Sequence, residues 1–457
     1  MGRLFGTDGV RGKANEALTA ELALDLSVAA AHVLAETGLF GGHTPVAVVG
    51  RDPRASGEFL EAAVVAGLAS AGVNVIRLGV LPTPGVAYLT GLTGADLGVM
   101  LSASHNPMPD NGIKFFASGG SKLDDALEEA IEARLGEPWS RPTGAGVGRV
   151  TEDLSLVEAY VAHLVSSLDD PTSLDGLKVV VDCANGGGYL TGPAAFQVQG
   201  ADVVAIHATP DGLNINENCG STHPAELQEA VVRLGADLGL ALDGDADRCL
   251  AVDATGTMVD GDQILAILAV AMHEAGQLRG DTVVGTVMSN LGFRHAMEAH
   301  GIAVEQTRVG DRYVLEAMNA ANFSLGGEQS GHVVMADHAT TGDGVLTGLH
   351  LMNRMASTGR SLADLAAVMT RLPQVLINVR DVDKSRADTD QVLNDAVARA
   401  GEELGSGGRV LLRPSGTESL VRVMVEAQTA GEARAVAEQL AAVVKSTLGP
   451  VGTTQAG

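Results

Sequence analysis

The sequence predicts an α/β protein: three similar α/β domains with mixed, mainly parallel sheets, then a smaller C-terminal α+β domain, around a central cleft. Three observations carry this expectation. Short β-branched runs alternate with Ala- and Leu-rich segments of helical period as far as about residue 370. One stretch occurs twice, as residues 94–101 (GADLGVML) and 235–242 (GADLGLAL). From Pro373 onward the pattern changes to strands of antiparallel type. The expected domains are 1–152, 153–253, 254–370 and 371–457.

Each α/β domain opens on a continuous apolar run: Val46-Ala47-Val48-Val49, Lys178-Val179-Val180-Val181 and Thr282-Val283-Val284. Such runs mark strands buried on both faces of a parallel sheet. A helix-like segment, a glycine and a second strand follow, at 72–76, 200–204 and 301–304. A third strand then ends in a distinctive loop. Ligands of open α/β sheets bind beyond the carboxyl ends of the strands, so the three loops are expected to converge on one cleft. The last domain reads as strands at 375–379, 409–413 and 420–425, with a helix between the first two and a final helix to about Leu448.

The chain has 457 residues, of which 46% are hydrophobic and only 3% aromatic, so its cores are built from Ala, Val and Leu. A formal charge of −26 argues against nucleic acid and anionic membrane as partners. A phosphorylated substrate must be held by local Arg, Lys and backbone N–H groups against that field. Cys183, Cys219 and Cys249 are odd in number and scattered, which fits inert buried thiols in a reducing cytoplasm. The first residues lack the apolar core of a signal peptide. The longest apolar run, Ile264 to Met272, falls far short of the ~20 residues a membrane span needs.

Two loops carry the chemistry. Ser102-Ala103-Ser104-His105-Asn106-Pro107 offers a hydroxyl on a tight turn, with His105 and Asn106 to orient it and Lys114 a short distance on. Asp243-Gly244-Asp245-Ala246-Asp247-Arg248 offers three alternate carboxylates, hard oxygen ligands for a divalent cation. The duplicated stretches precede these loops, so Ser102 falls on Asp243 and Ser104 on Asp245. A calcium EF-hand is excluded, because Arg248 stands where that loop needs glycine and Ala254 where it needs glutamate. A hydroxyl beside a divalent-metal cage is what phosphoryl transfer requires. Lys114 could neutralise phosphate charge or move a proton.

Gly326-Gly327-Glu328-Gln329-Ser330-Gly331-His332 sets polar side chains on a glycine-rich loop that can contact polyol hydroxyls. Arg413-Pro414-Ser415-Gly416-Thr417-Glu418 combines a guanidinium, two hydroxyls and exposed backbone N–H groups, a compact oxyanion cradle that is also a hairpin turn. Residues 186–191 miss the dinucleotide fingerprint at Thr191, and Gly12-Lys13 lacks the rest of a nucleotide-binding P-loop, so neither NAD nor ATP is expected. His43, His207, His295, His300 and His338 show no ligand spacing and read as structural or surface residues.

Together these residues resemble the α-D-phosphohexomutase superfamily along essentially the whole chain. Residues 5–12 (FGTDGVRG) look like its amino-terminal signature, 102–107 like its phosphoserine loop and 243–248 like its metal loop. Residues 327–332 (GEQSGH), Asn214-Ile215-Asn216 and 219–224 are similar to its glucosamine branch. The resemblance implies a phosphoserine at Ser104 and one Mg²⁺ per chain, held by Asp243, Asp245, Asp247 and the Ser104 phosphate. It implies Arg11, Lys114 and Arg248 around the transferring phosphoryl group. Glu328, Ser330 and His332 would bind the sugar, and Arg413, Ser415, Gly416 and Thr417 the phosphate that does not react. Ser419 departs from the proline often found there, which alters turn stiffness. The implied activity interconverts glucosamine 6-phosphate and glucosamine 1-phosphate through a 1,6-bisphosphate, toward amino-sugar and cell-wall precursors. Glucose and mannose phosphates are the neighbouring specificities. Glucosamine or glucose 1,6-bisphosphate is the implied activator. A homodimer and an activating kinase are both compatible with the sequence.

Overall fold

The protein, seen here as a computed structural model, is described over residues 3–6, 8–38, 42–168, 173–415 and 419–449. It divides into two units, one of Met1–Met288 with His300–Val368, the other of Ser289–Ala299 with Met369–Gly457.

The first unit holds three sheets. The first contains β1 (Phe5–Gly6), β2 (Gly9–Lys13), β3 (Val46–Arg51), β4 (Asn74–Val80), β5 (Leu97–Leu101), β6 (Asp110–Ala117) and β7 (Val150–Glu152), in the order β1-β2-β6-β5-β3-β4-β7. The second contains β8 (Lys178–Asp182), β9 (Asp202–Ile206), β10 (Leu238–Leu242), β11 (Cys249–Asp253) and β12 (Met258–Val259), in the order β12-β11-β10-β8-β9. The third contains β13 (Thr282–Thr286), β14 (Ala303–Thr307), β15 (Leu325–Gly327) and β16 (Val333–Met335), in the order β14-β13-β15-β16.

One plan underlies all three. The parallel trios β5-β3-β4, β10-β8-β9 and β15-β13-β14 place the first strand of each domain between the third and the second. An antiparallel strand, β6, β11 or β16, then returns beside the third. The repeat seen in the sequence reaches the hydrogen bonds: Asp96 accepts the Val46 N–H at 2.9 Å, and Asp237 accepts the Lys178 N–H at 2.7 Å. It also extends to the third domain, whose sequence shares only a Leu-Gly pair with the duplicated stretch. Each third strand begins Leu-Gly, and the helix before it packs onto that glycine. A Cβ on Gly98 would lie 2.2 Å from Thr90 Oγ1, one on Gly239 2.6 Å from Val231 Cγ2, and one on Gly326 2.6 Å from Met318 Sδ. The return hairpin between third and antiparallel strand carries the distinctive loop in every case.

The second unit is a three-stranded antiparallel sheet of β17 (Gln374–Arg380), β18 (Arg409–Pro414) and β19 (Leu420–Glu426), in the order β17-β19-β18. Helices Gln391–Leu404 and Ala430–Leu448 bury Leu393, Ala400, Leu440 and Val444 against Val421, Val423 and Val425. Glu426, wholly buried, ties in the 289–299 segment. Its carboxylate accepts the Leu291 N–H at 2.9 Å, the Asn290 side-chain amide at 3.3 Å and the Arg409 guanidinium at 2.7 Å. Among the described residues no helix is long and apolar enough to cross a membrane.

Removing the carboxylate strands a guanidinium in the interior. Glu426→Ala is therefore expected to cost the second unit about 3–5 kcal/mol, read as an early urea transition by circular dichroism. An unchanged midpoint would show that Arg409 finds water instead.

Candidate active site

The loop between β5 and β6 holds Ser104 in a left-handed backbone conformation, φ +50°. That conformation is costly for a serine and needs surrounding contacts to hold it. Arg54, fully buried, supplies most of them. Its guanidinium donates to the carbonyls of Ser104 (2.9 Å), Asn106 (2.8 Å), Pro107 (2.7 Å) and Asp110 (2.9 Å), and its Nε to Asp52 (2.9 Å). From the second domain, the Asn216 amide also reaches the Ser104 and Asn106 carbonyls, at 2.8 and 3.1 Å. Ser102 bridges Asp52 (2.6 Å) and the Ser104 N–H (3.0 Å).

The Ser104 hydroxyl, thus aimed, donates to Asp243 Oδ2 at 2.5 Å and lies 3.3 Å from His105 Nδ1. The two loops touch because Gly244 has no side chain; a Cβ there would lie 2.5 Å from the Ser104 carbonyl oxygen. The expectation that the Ser104 and triple-aspartate loops share one cleft is met.

Asp243, Asp245 and Asp247 are buried, and one oxygen from each lies within 4.8 Å of the others. Burial, then Asp247 and Asp245, push the Asp243 carboxyl well above the usual carboxylate range. Burial opposes the Asp247 charge too, but His332, Lys114 and Arg248 outweigh it and hold that carboxyl below its ordinary value. Asp245 Oδ2 accepts from Thr83 at 2.5 Å and Lys114 at 2.7 Å. Asp245 Oδ1 and Asp247 Oδ1 are buried with no hydrogen-bond partner. Two orphaned carboxylate oxygens facing a third carboxylate are a donor set that fits a hard divalent cation.

Cationic side chains surround this cluster. Lys114, buried, bridges Asp245 and Asp8, both at 2.7 Å. Burial disfavours its charge, but Asp245, Asp8 and Asp247 outweigh burial and keep it protonated. Asp8 also pairs with Arg11 and, at 2.7 Å, Lys122. Beside them opens a cleft of ≈ 380 Å³ whose lining includes Arg11, His105, Arg248, Glu328 and His332. Glu328 is held by the Gly310 N–H at 3.0 Å. The Gly342 N–H lies 3.2 Å from His332 Nε2, and His332 Nδ1 lies 3.6 Å from Asp247.

The structure thus brings together Ser104, the three aspartates, Arg11, Lys114, Arg248, Glu328 and His332. Ser330 shares the Glu328 loop, but its hydroxyl is buried without a partner rather than lining the cleft. Arg413 and Ser415 belong to the second unit. There Arg413 stands directly opposite Arg422 across β18 and β19, and Lys384 donates to the Ser415 carbonyl at 2.6 Å. Gly416 and Thr417 lie outside the described residues. Asp8, Lys122, Arg54 and Asn216 join the site although the sequence assigned them no role. Asp8 and Asn216 sat inside quoted motifs; nothing local marked Arg54 or Lys122. His207, for which the sequence shows no ligand spacing, lies beside Asp182 and Cys219, a second donor group. These positions are distant along the chain, so spacing could not reveal them.

Four family profiles match the chain. Those described as phosphoglucomutase/phosphomannomutase alpha/beta/alpha domains I, II and III cover residues 2–139, 158–256 and 260–372, and the C-terminal domain profile covers 376–443. A phosphoglucosamine mutase of Streptomyces griseus is 71% identical, spanning 98% of this chain and 100% of the relative. One from a Nocardioides species is 68% identical over the same shares, 98% and 100%. Among solved structures, a phosphoglucomutase/phosphomannomutase family protein of Burkholderia thailandensis superimposes with a TM-score of 0.80 at 24% identity, covering 98% of both chains. The Aspergillus fumigatus N-acetylphosphoglucosamine mutase, solved with GlcNAc-6P and magnesium, gives 0.68 at 18%, covering 97% of this chain and 96% of its own. At these identities the two structures establish the fold.

The Arg54 fork yields a test independent of turnover. Arg54→Lys keeps the charge on Asp52 but cannot span four carbonyls. Amide hydrogen exchange across 102–110 should accelerate roughly tenfold or more, since a hydrogen bond from a charged donor contributes ~1.5–3 kcal/mol. Unchanged protection would remove Arg54 as the clamp.

Proposed function

The chain belongs to the phosphoglucomutase/phosphomannomutase family, and from that premise we propose that it is a phosphoglucosamine mutase, interconverting glucosamine 6-phosphate and glucosamine 1-phosphate. The observation that carries the reading is the buried Ser104 hydroxyl, hydrogen-bonded to Asp243 beside a cleft lined by Arg11, Arg248, Glu328 and His332.

In this mechanism Ser104 carries a phosphoryl group at the start of the cycle. The sugar's C1 hydroxyl attacks phosphorus, the bond to Ser104 Oγ breaks, the proton lost by the C1 hydroxyl ends on Ser104 Oγ, and a 1,6-bisphosphate forms. The bisphosphate turns over within the cleft, and its 6-phosphoryl group returns to Ser104. Asp243 holds the vacated hydroxyl in line for that return. The Ser104 phosphate carries about −1.5 to −2 charges. Arg11, Arg248 and Lys114 offset it and stabilise a loose transition state by electrostatics and positioning. Asp243, Asp245 and Asp247 would hold one Mg²⁺, which when bound neutralises charge on the phosphoryl oxygens. Glu328 and His332 orient the sugar hydroxyls. Arg413 and Ser415, in the second unit, would hold the phosphate that does not react. Glucosamine or glucose 1,6-bisphosphate, or a partner kinase, supplies the first phosphoryl group.

³¹P NMR of the protein with Mg²⁺, glucosamine 6-phosphate and a trace of hexose 1,6-bisphosphate should show a 1-phosphate resonance growing without inorganic phosphate. Growth of inorganic phosphate would mean a phosphatase instead, and faster conversion of glucose or mannose phosphate would change the substrate. Ser104→Ala should lower turnover by at least ~10³-fold. Arg413→Ala should raise KM roughly tenfold in both directions with Ser104 still phosphorylatable; an unchanged KM would remove the cradle.

A further inference from the structure

Asp182, His207 and Cys219 meet at the carboxyl end of the second sheet, outside the machinery described above. Asp182 ends β8, His207 follows β9, and Cys219 precedes the turn Gly220–Thr222. One donor atom from each lies within 4.8 Å of the other two. Asp182 is wholly buried and fixes the group, accepting the Ala184 N–H at 2.9 Å and the Gly220 N–H at 2.8 Å.

The imidazole is the informative member. His207 Nδ1 lies at ion-pair distance, 3.1 Å, from Asp182 Oδ1. Its other nitrogen, Nε2, faces Glu226 Oε2 at 3.2 Å. A carboxylate on one ring nitrogen, with the other turned toward further donors, is how a metal-ligating histidine is oriented.

We propose that Asp182, His207 Nδ1 and Cys219 Sγ form a site for one divalent transition-metal cation of the zinc class. The donor set decides the class. A thiolate, an imidazole and a carboxylate suit zinc or cobalt, whereas Mg²⁺ and Ca²⁺ take oxygen donors. Three protein ligands leave the fourth tetrahedral position to water. Donors at about 2.0–2.3 Å from zinc stand roughly 3.3–3.8 Å apart, so the group closes with a movement of about 1 Å. Solvent reaches the site past Glu226, whose side chain is 59% exposed. On binding, Cys219 gives its proton to solvent.

The location gives the site a consequence. Cys219 and His207 bracket the segment that carries Asn216, whose amide holds the Ser104 and Asn106 carbonyls. A cation there staples both ends of the loop that supports Ser104, without touching the three catalytic aspartates.

The test is cobalt titration of the chelator-treated, full-length protein in excess Mg²⁺, which keeps oxygen-only sites occupied. A thiolate-to-cobalt charge-transfer absorption should grow and saturate at one Co²⁺ per chain, and Zn²⁺ should abolish it. Cys219→Ser should lose the band, while Cys183→Ser keeps it. Glu226→Gln, a surface change that spares folding, should weaken Co²⁺ binding about 10–100-fold. Absence of a thiolate band in the wild-type protein would overturn the proposal without recourse to any variant. So would a band that survives Cys219→Ser.

Discussion

Three carboxylates held within 4.8 Å of one another, almost out of reach of water, cannot all stay ionised unless positive charge is brought to them. The first unit is arranged around that constraint. Lys114 reaches Asp245 and can be buried there only because Asp8 shares it; Asp8 in turn is balanced by Arg11 and Lys122. The result is a lattice of alternating charge in which each buried ion has an opposite neighbour. It leaves two carboxylate oxygens unpaired, on Asp245 and Asp247, and so retains capacity for one more cation. Within a chain of net charge −26, this is how a local field able to hold phosphate is maintained.

The second requirement is that loops from different sheets meet at atomic precision. The fold meets it by using the same hairpin three times, each placed beside the central strand of a parallel trio. Ser104 and Ala246 both adopt left-handed backbone conformations without being glycine, at φ +50° and +53°. The strain at Ser104 is sustained by the Arg54 fork and the Asn216 amide rather than by a permissive residue. Gly244 lets the partner loop come within contact distance. Rigidity therefore comes from hydrogen bonds to carbonyl oxygens, which a sequence pattern does not display.

The second unit follows a simpler logic, with a hydrophobic face under two helices and one buried carboxylate, Glu426, closing the join to residues 289–299. The β-patterned runs at 375–379, 409–413 and 420–425 sufficed to predict its strands, which lie at Gln374–Arg380, Arg409–Pro414 and Leu420–Glu426.

Much was legible before any coordinates. Continuous apolar runs located the parallel strands, since burial on both faces leaves no room for polar residues. The duplicated GADLG stretch marked two of the three equivalent hairpins; the third was expected from its strand-and-loop plan, with only its Leu325-Gly326 pair matching that stretch. Ser104, Lys114 and the three aspartates were visible because their chemistry is local to short loops. The tertiary structure alone decided what those groups contact. Ser104 meets Asp243 across 139 residues, Lys114 meets Asp245 across 131, and Asn216 meets the Ser104 carbonyl across 112. It also placed His207 beside Asp182 and Cys219, which lie far from it along the chain. Residue type and short-range period follow from the chain itself, whereas pairing of buried charges depends on which loops the packed sheets bring within hydrogen-bond reach.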